Sequence, residues 1–174
     1  MTRRSFIYAS ICVTAGLMIP ERVGATPAKS NRLCFYNTHT GESMEVDYTP
    51  GKYSGAVRRS LEYFLRDFRT GEQHPFDPTL FDSLCVLQDG CGRQASFEVI
   101  SGYRSPKTNA SLRKSSSGVA RKSLHMQGRA IDLRISGLST GRLRDLALNL
   151  HDGGVGYYPR SSFIHIDTGR KRSW

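Results

Sequence analysis

The chain has 174 residues, with 25 Lys and Arg against 15 Asp and Glu and a net charge of +10 at pH 7. That length suits one domain with a proper core and leaves no room for two. The basic balance favours an anionic partner. Nucleic acid is a poor candidate because no nucleic-acid-binding motif is recognisable, and beyond the N-terminus no segment is apolar enough to cross a bilayer.

The first element is Thr2-Arg3-Arg4-Ser5-Phe6-Ile7, a twin-arginine pattern, followed by an apolar run to Pro20 and by Val23-Gly24-Ala25. The apolar run is too short for a comfortable span, and the last triplet resembles a small-residue cleavage site. Residues 1–25 are therefore expected to be a cleaved export signal, and residues 26–174 a single domain in the bacterial periplasm without a membrane span. Losing Arg3, Arg4, Arg22 and Glu21 leaves 22 basic and 14 acidic residues, a net charge of +8. In that compartment a wall polymer with free carboxylates is a better anionic partner than nucleic acid.

Leu33 to Val46 predicts a hairpin turning near Thr38–Gly41. Apolar positions 57, 61, 64, 65 and 68 predict a helix over Val57–Phe68. Asp77-Pro78 should cap a second helix through Leu87, ended by Asp89-Gly90. A short strand, Phe97–Ile100, leads into Ser101-Gly102-Tyr103-Arg104-Ser105-Pro106. From Ser101 to Ile131 there is no Asp or Glu, against Arg104, Lys107, Arg113, Lys114, Arg121, Lys122 and Arg129. This stretch reads as a basic cluster for an anionic partner, as a solvated charged loop flexible at Ser115–Gly118, or as both. Leu138–Leu150 is amphipathic and helical, and Gly153–Tyr158 is a Gly-rich bend into the last strand. The sum is an α+β domain with a small, mostly antiparallel sheet and flanking helices.

Cys12 leaves with the signal, so Cys34, Cys85 and Cys91 remain. Cys85 and Cys91 could close a small loop, either could pair with Cys34, and one thiol is left over. No thiolate-activating neighbour and no C-x-x-C spacing is present, which argues against a catalytic cysteine or a cysteine zinc site.

The chemistry concentrates in His125-Met-Gln-Gly-Arg-Ala-Ile-Asp132 and Phe163-Ile-His165-Ile-Asp167. Two imidazoles and a carboxylate are three of the four ligands of a tetrahedral zinc, with one position left for water, which points to hydrolysis. His125 and Asp132 would lie about 23 Å apart on one straight strand and about 10 Å apart along one helix. The chain must therefore turn between them, and Gly128 permits it. Beyond the turn, Ile131, Leu133 and Ile135 alternate with Asp132, as Ile164 and Ile166 do with His165 and Asp167. Two neighbouring strands would then bring Asp132 and His165 together under the loop carrying His125. Short motifs of this kind also occur by chance; the apolar alternation around both ligands raises this one above chance.

Together, Ser101-Gly-Tyr-Arg104-Ser-Pro, Ser123-x-His125-x-x-Gly128-x-Ala130-x-Asp132, Gly153-Gly-Val-Gly-Tyr-Tyr-Pro159 and Phe163-Ile-His165-Ile-Asp167-Thr-Gly169 resemble the M15 family of zinc peptidases. The closer likeness is to the murein endopeptidase K branch, and it spans essentially all of the chain after the signal. The resemblance implies a D-Ala-D-Ala peptidase and hedgehog-like fold. It also implies a zinc held by His125, Asp132 and His165, and hydrolysis of peptidoglycan cross-links at the L,D bond between two diaminopimelate residues. Arg104 matches the family arginine that binds substrate or stabilises the developing oxyanion. One departure stands out: other branches place an acidic general base where this chain has Ser162. Asp167 is the first substitute, about 7 Å along the strand from His165, although it could equally orient a ligand imidazole. His151 and Asp152 are further candidates. Two alternatives stay open: a D,D-carboxypeptidase, and a non-catalytic, zinc-containing peptidoglycan-binding module.

Overall fold

The structure is a computed structural model that describes residues 31–53, 55–92, 95–116 and 118–174. The expected export signal over residues 1–25 lies outside the described residues. No helix among the described residues is long and apolar enough to cross a membrane.

Strands β1 (Asn31–Asn37) and β2 (Ser43–Tyr48) form the expected hairpin, in which Tyr36 faces Ser43. Its turn is organised by the Asn37 side chain, whose Oδ1 accepts from the backbone N–H of His39 (2.9 Å) and of Thr40 (3.2 Å). Helix α1 (Gly55–Phe64) stops four residues before the expected Phe68. The apolar stripe does continue, since Leu65 is fully buried. The backbone, however, turns around Asp67: its N–H donates to Glu72, its carbonyl accepts from Thr70 and Gly71, and its carboxylate accepts from the Arg69 N–H. A buried aspartate that serves the backbone in this way competes directly with the helix.

Helix α2 (Pro78–Gly90) begins as expected, with Asp77 accepting from the Thr79 N–H and proline in the first turn. Cys85 lies inside α2 and Cys91 caps it, six positions along a helix or about 9 Å. That exceeds disulfide reach, so the small loop considered for this pair is ruled out. Cys85 is buried, and burial pushes its thiol up to about 11, so it is no nucleophile.

Strand β3 (Ser96–Ser101) leads to helix α3 (Pro106–Ser115), which lies where the sequence reading placed a loop. Ser105 is its N-cap, with Oγ accepting from the Thr108 N–H (3.2 Å), and Pro106 follows in the first turn. The inner face of α3 is Thr108 and Asn109, so no apolar stripe betrays it. A 3-10 turn (Leu124–Gln127) then precedes β4 (Ala130–Ile135), α4 (Thr140–Leu150), β5 (Gly154–Tyr158), a second 3-10 turn (Pro159–Ser161), β6 (Phe163–Asp167) and β7 (Arg172–Ser173).

The seven strands form one sheet in the order β2-β1-β3-β4-β6-β5-β7. Four of its six pairings are antiparallel, with β1/β3 and β5/β7 parallel, so the expected α+β, mostly antiparallel architecture is the one found. Leu33, Phe97, Ile131, Leu133, Ile164 and Ile166 join Leu61, Leu80, Phe81 and Leu143 of the helices in one core. Each such side chain contributes about 1.5–3 kcal/mol on burial. The alternation that sends Ile131, Leu133, Ile164 and Ile166 into the core turns Asp132, His165 and Asp167 to the other side of β4 and β6.

Candidate metal centre

Asp132 and His165 are direct cross-strand partners at the centre of the β4/β6 ladder. His125 arrives from the 3-10 turn, which ends at Gly128 in the left-handed conformation (φ 62°). A Cβ at Gly128 would collide with the Pro75 carbonyl oxygen, so glycine is required here for space as well as for φ. The three side chains are all buried, and one ligand atom from each lies within 4.8 Å of the others.

The protonation pattern follows from the outer partners. The His125 Nδ1–H donates to the Gly102 carbonyl (2.7 Å), which leaves a lone pair on Nε2. The His165 Nε2–H donates to Asp167 Oδ2 (2.9 Å), which leaves a lone pair on Nδ1. These two nitrogens are 3.2 Å apart, and they lie 3.2 and 2.8 Å from Asp132 Oδ1. A tetrahedral zinc with bonds of about 2.0–2.1 Å spaces its donors about 3.3 Å apart, so the donor set and the spacing both fit. Two neutral nitrogens facing each other at this distance need positive charge between them. Burial pulls His125 below the usual imidazole range, and the Arg104 charge adds to that. Burial acts on His165 in the same sense, yet the Asp132 and Asp167 carboxylates beside it raise it. Asp132 stays ionised: burial would raise it, but the neighbouring His125, His165 and Arg104 hold it far below the carboxylate range.

Asp167 is fully buried and saturated. Its Oδ1 accepts from the N–H groups of Gly154 (3.2 Å) and Gly169 (2.9 Å) and from Arg172 Nη1 (2.9 Å). Its Oδ2 takes the His165 ring and Arg172 Nη2 (2.6 Å). Burial works against ionisation, but the bonds from His165 and Arg172 keep this carboxyl well below its ordinary range. All its acceptor positions are occupied.

The other candidate bases are elsewhere. His151 is wedged behind the sheet, between the Asp167 carbonyl (2.9 Å from Nε2) and Ser83 Oγ (3.0 Å from Nδ1). Asp152 pairs on the surface with Lys171 (2.9 Å). Ser162 is an exposed turn residue at φ 54°.

Arg104 reaches the centre from the β3–α3 loop. Its guanidinium bonds to Asp132 through Nη2 and to Ser101 Oγ through Nε (2.8 Å). The loop is clamped from both sides: Tyr103 N–H donates to Leu65 (2.8 Å), Arg104 N–H to His125 (3.3 Å) and Ser105 N–H to Asp67 (2.8 Å). Over the centre opens a cleft of about 400 Å³, with Arg104 and Lys122 among its cations and Tyr158, Phe163 and Trp174 as its aromatics. The only carboxylates among the described lining residues are Asp132 and Asp167. The sequence reading missed Gly102, Arg172 and Trp174. A basic residue five positions after Asp167 was the one available hint of the Arg172 clamp.

The M15 peptidase family described as peptidoglycan L,D-endopeptidase MepK matches residues 25–174. The chain belongs to this family. It is 45% identical over 152 residues to a protein of Haemophilus influenzae named probable peptidoglycan L,D-endopeptidase MepK, covering 86% of this chain and 81% of that one. It is also 46% identical over 143 residues to the Escherichia coli K12 protein named peptidoglycan L,D-endopeptidase MepK, covering 82% and 79%. A Shigella flexneri protein of the same name matches to the same extent. No solved structure gives a significant match.

Proposed function

We propose that the chain is a zinc-dependent peptidoglycan endopeptidase that cuts the L,D cross-link between two diaminopimelate residues in the periplasm. The observation that carries this reading is the convergence of three lone pairs, on His125 Nε2, His165 Nδ1 and Asp132 Oδ1, at a spacing suited to one zinc. A match beginning at residue 25, where the export signal is read to end, supports the periplasmic assignment, as do relatives named for a wall polymer.

In this reading His125, Asp132 and His165 hold the zinc, which when bound supplies Lewis acidity and an acidified water. Gly102 and Asp167 fix the two imidazoles in the tautomers that ligation needs, so Asp167 is a positioning residue. Arg104 sits against the carboxylate ligand at the mouth of the cleft, where a fixed cation orients a stem-peptide carboxylate or a developing oxyanion. Lys122 adds charge of the same sign at the rim.

Purified protein incubated with peptidoglycan sacculi, with and without chelator, tests the reading through the muropeptides released. Chelator-sensitive loss of diaminopimelate–diaminopimelate dimers is the expected result; loss of terminal D-alanine alone would establish the D,D-carboxypeptidase. His125→Ala and His165→Ala should retain neither zinc nor activity, and Asp167→Asn should bind zinc about 10–100-fold more weakly. A binding module without catalysis is the second reading, favoured by the absence of an uncommitted carboxylate among the described cleft residues. Dimers left intact by wall-bound, zinc-loaded protein would decide for it.

A further inference from the structure

We propose that the indole of Trp174 is a substrate-positioning wall of the cleft, packing against the aliphatic part of an anionic wall peptide while Arg104 and Lys122 take its carboxylates. The proposal rests on the peptidoglycan reading above and adds a residue to it.

Trp174 is half exposed, yet it is held from several sides. Strand β7 zips its backbone to β5: the Trp174 N–H donates to Val155 (3.3 Å) and its carbonyl accepts from Tyr157 (2.9 Å). The indole N–H donates to the Tyr158 hydroxyl (2.9 Å). The ring lies 5.3 Å from the His165 ring, and the Arg172 guanidinium carbon is 4.9 Å from its centroid. The floor beneath it is Gly156, where a Cβ would come within 2.8 Å of the indole carbons. Glycine at position 156 thus makes the seat for the ring. Fixing a large side chain in one rotamer loses conformational entropy, and here burial offsets that loss only in part. A rigid aromatic with an open surface beside a reacting centre is the type of group that gives contact area to a ligand without further ordering.

The cleft decides what chemistry it would meet. Arg104 pairs with Asp132 and Arg172 with Asp167, so Lys122 leaves the described lining of the cleft with one positive charge in excess. Tyr158, Phe163 and Trp174 supply apolar surface in the same cleft. A peptide that combines carboxylates with a methylene chain satisfies both sets of groups.

Trp174 is the single tryptophan of the chain, so indole emission reports on this residue alone. The test titrates the metal-free full chain with purified cross-linked muropeptide dimers, following emission and acrylamide quenching while equilibrium dialysis measures binding. A saturable emission change with about twofold protection from acrylamide is expected, as for a ring half covered by ligand. Dimers that bind without altering either signal, or that do not bind, overturn the proposal. In the zinc-loaded enzyme, Trp174→Ala should raise KM about tenfold with kcat within about twofold, and Trp174→Phe should recover most of the loss. An unchanged KM in Trp174→Ala, or loss of zinc together with kcat, would also overturn it. A wild-type protein that leaves dimers uncut defeats the endopeptidase reading alone, and the quenching result still decides whether the indole meets wall peptide.

Discussion

Three aspartates, Asp67, Asp132 and Asp167, are buried and held below the usual carboxylate range, the last two sharing His165 as a partner. Asp67 is the one remote from the metal ligands. Burial opposes its ionisation, but bonds from Thr108, Ser105 and the Arg69 N–H outweigh it. Asp67→Asn should destabilise the fold by about 1–3 kcal/mol, because an amide nitrogen would face backbone donors. The folded carboxyl titrates lower than the unfolded one. Its stabilising contribution is therefore complete above about pH 4, the unfolded value, and disappears as pH falls through the folded value. Urea midpoints for wild type and variant should differ constantly from pH 7 to 5 and converge below pH 4; a gap that persists in acid would contradict the assignment. At this scale the convergence of the proposed metal ligands was legible because polar residues interrupt strictly apolar alternation at Asp132 and His165. Of their outer partners Asp167 was readable as a possible orienter of an imidazole, whereas the Gly102 carbonyl behind His125 and the Arg172 guanidinium behind Asp167 come into place only through tertiary packing.

Among the elements, the loop between β3 and α3 bears most directly on the site. It carries Arg104, orients His125 through Gly102 and leans on the Asp67 turn. A Cβ at Gly102 would come within 2.5 Å of the Leu65 carbonyl oxygen, and backbone cannot yield as a side chain can. Gly102→Ala should therefore cost about 1–3 kcal/mol and weaken zinc binding about tenfold by turning the His125 ring. Denaturant melts and metal titration would measure both, and unchanged zinc affinity would show that the Gly102 carbonyl does not set the ring. The hairpin, α2, α4 and the two ligand strands were readable from period and caps. Helix α3 was hidden by its polar inner face, and the Ser105-Pro106 start signal was the only local sign of it. The end of α1 was misplaced because the competitor for its backbone, Asp67, acts through contacts that a stripe of apolar residues does not record.

For the molecule as a whole, the alternation of strands and helices gave the α+β class, whereas the strand order could not be read locally. The parallel pairing of β1 with β3 is a tertiary arrangement, and so is the placing of β6 between β4 and β5. The proposed metal ligands come from the 3-10 turn, β4 and β6, so an ion bound there would tie the centre of the sheet to the segment that crosses it. With zinc at about a thousand times its dissociation constant the linkage is worth about 4 kcal/mol. Chelation should then lower Tm by about 8–16 °C in a domain of this size. Calorimetry with and without chelator checks this, and His165→Ala should show no such difference. Finally, the pairing of Asp132 with His165 constrains how the chain can change in length. Deleting or inserting one residue in β4 or β6 inverts every later side chain of that strand, exchanging a ligand for an isoleucine or leucine. Residues 118–122 at the rim belong to no ladder and carry no such constraint. Insertions and deletions among homologues should therefore accumulate at the rim, so that the choice of peptide can diverge while the metal centre stays unaltered.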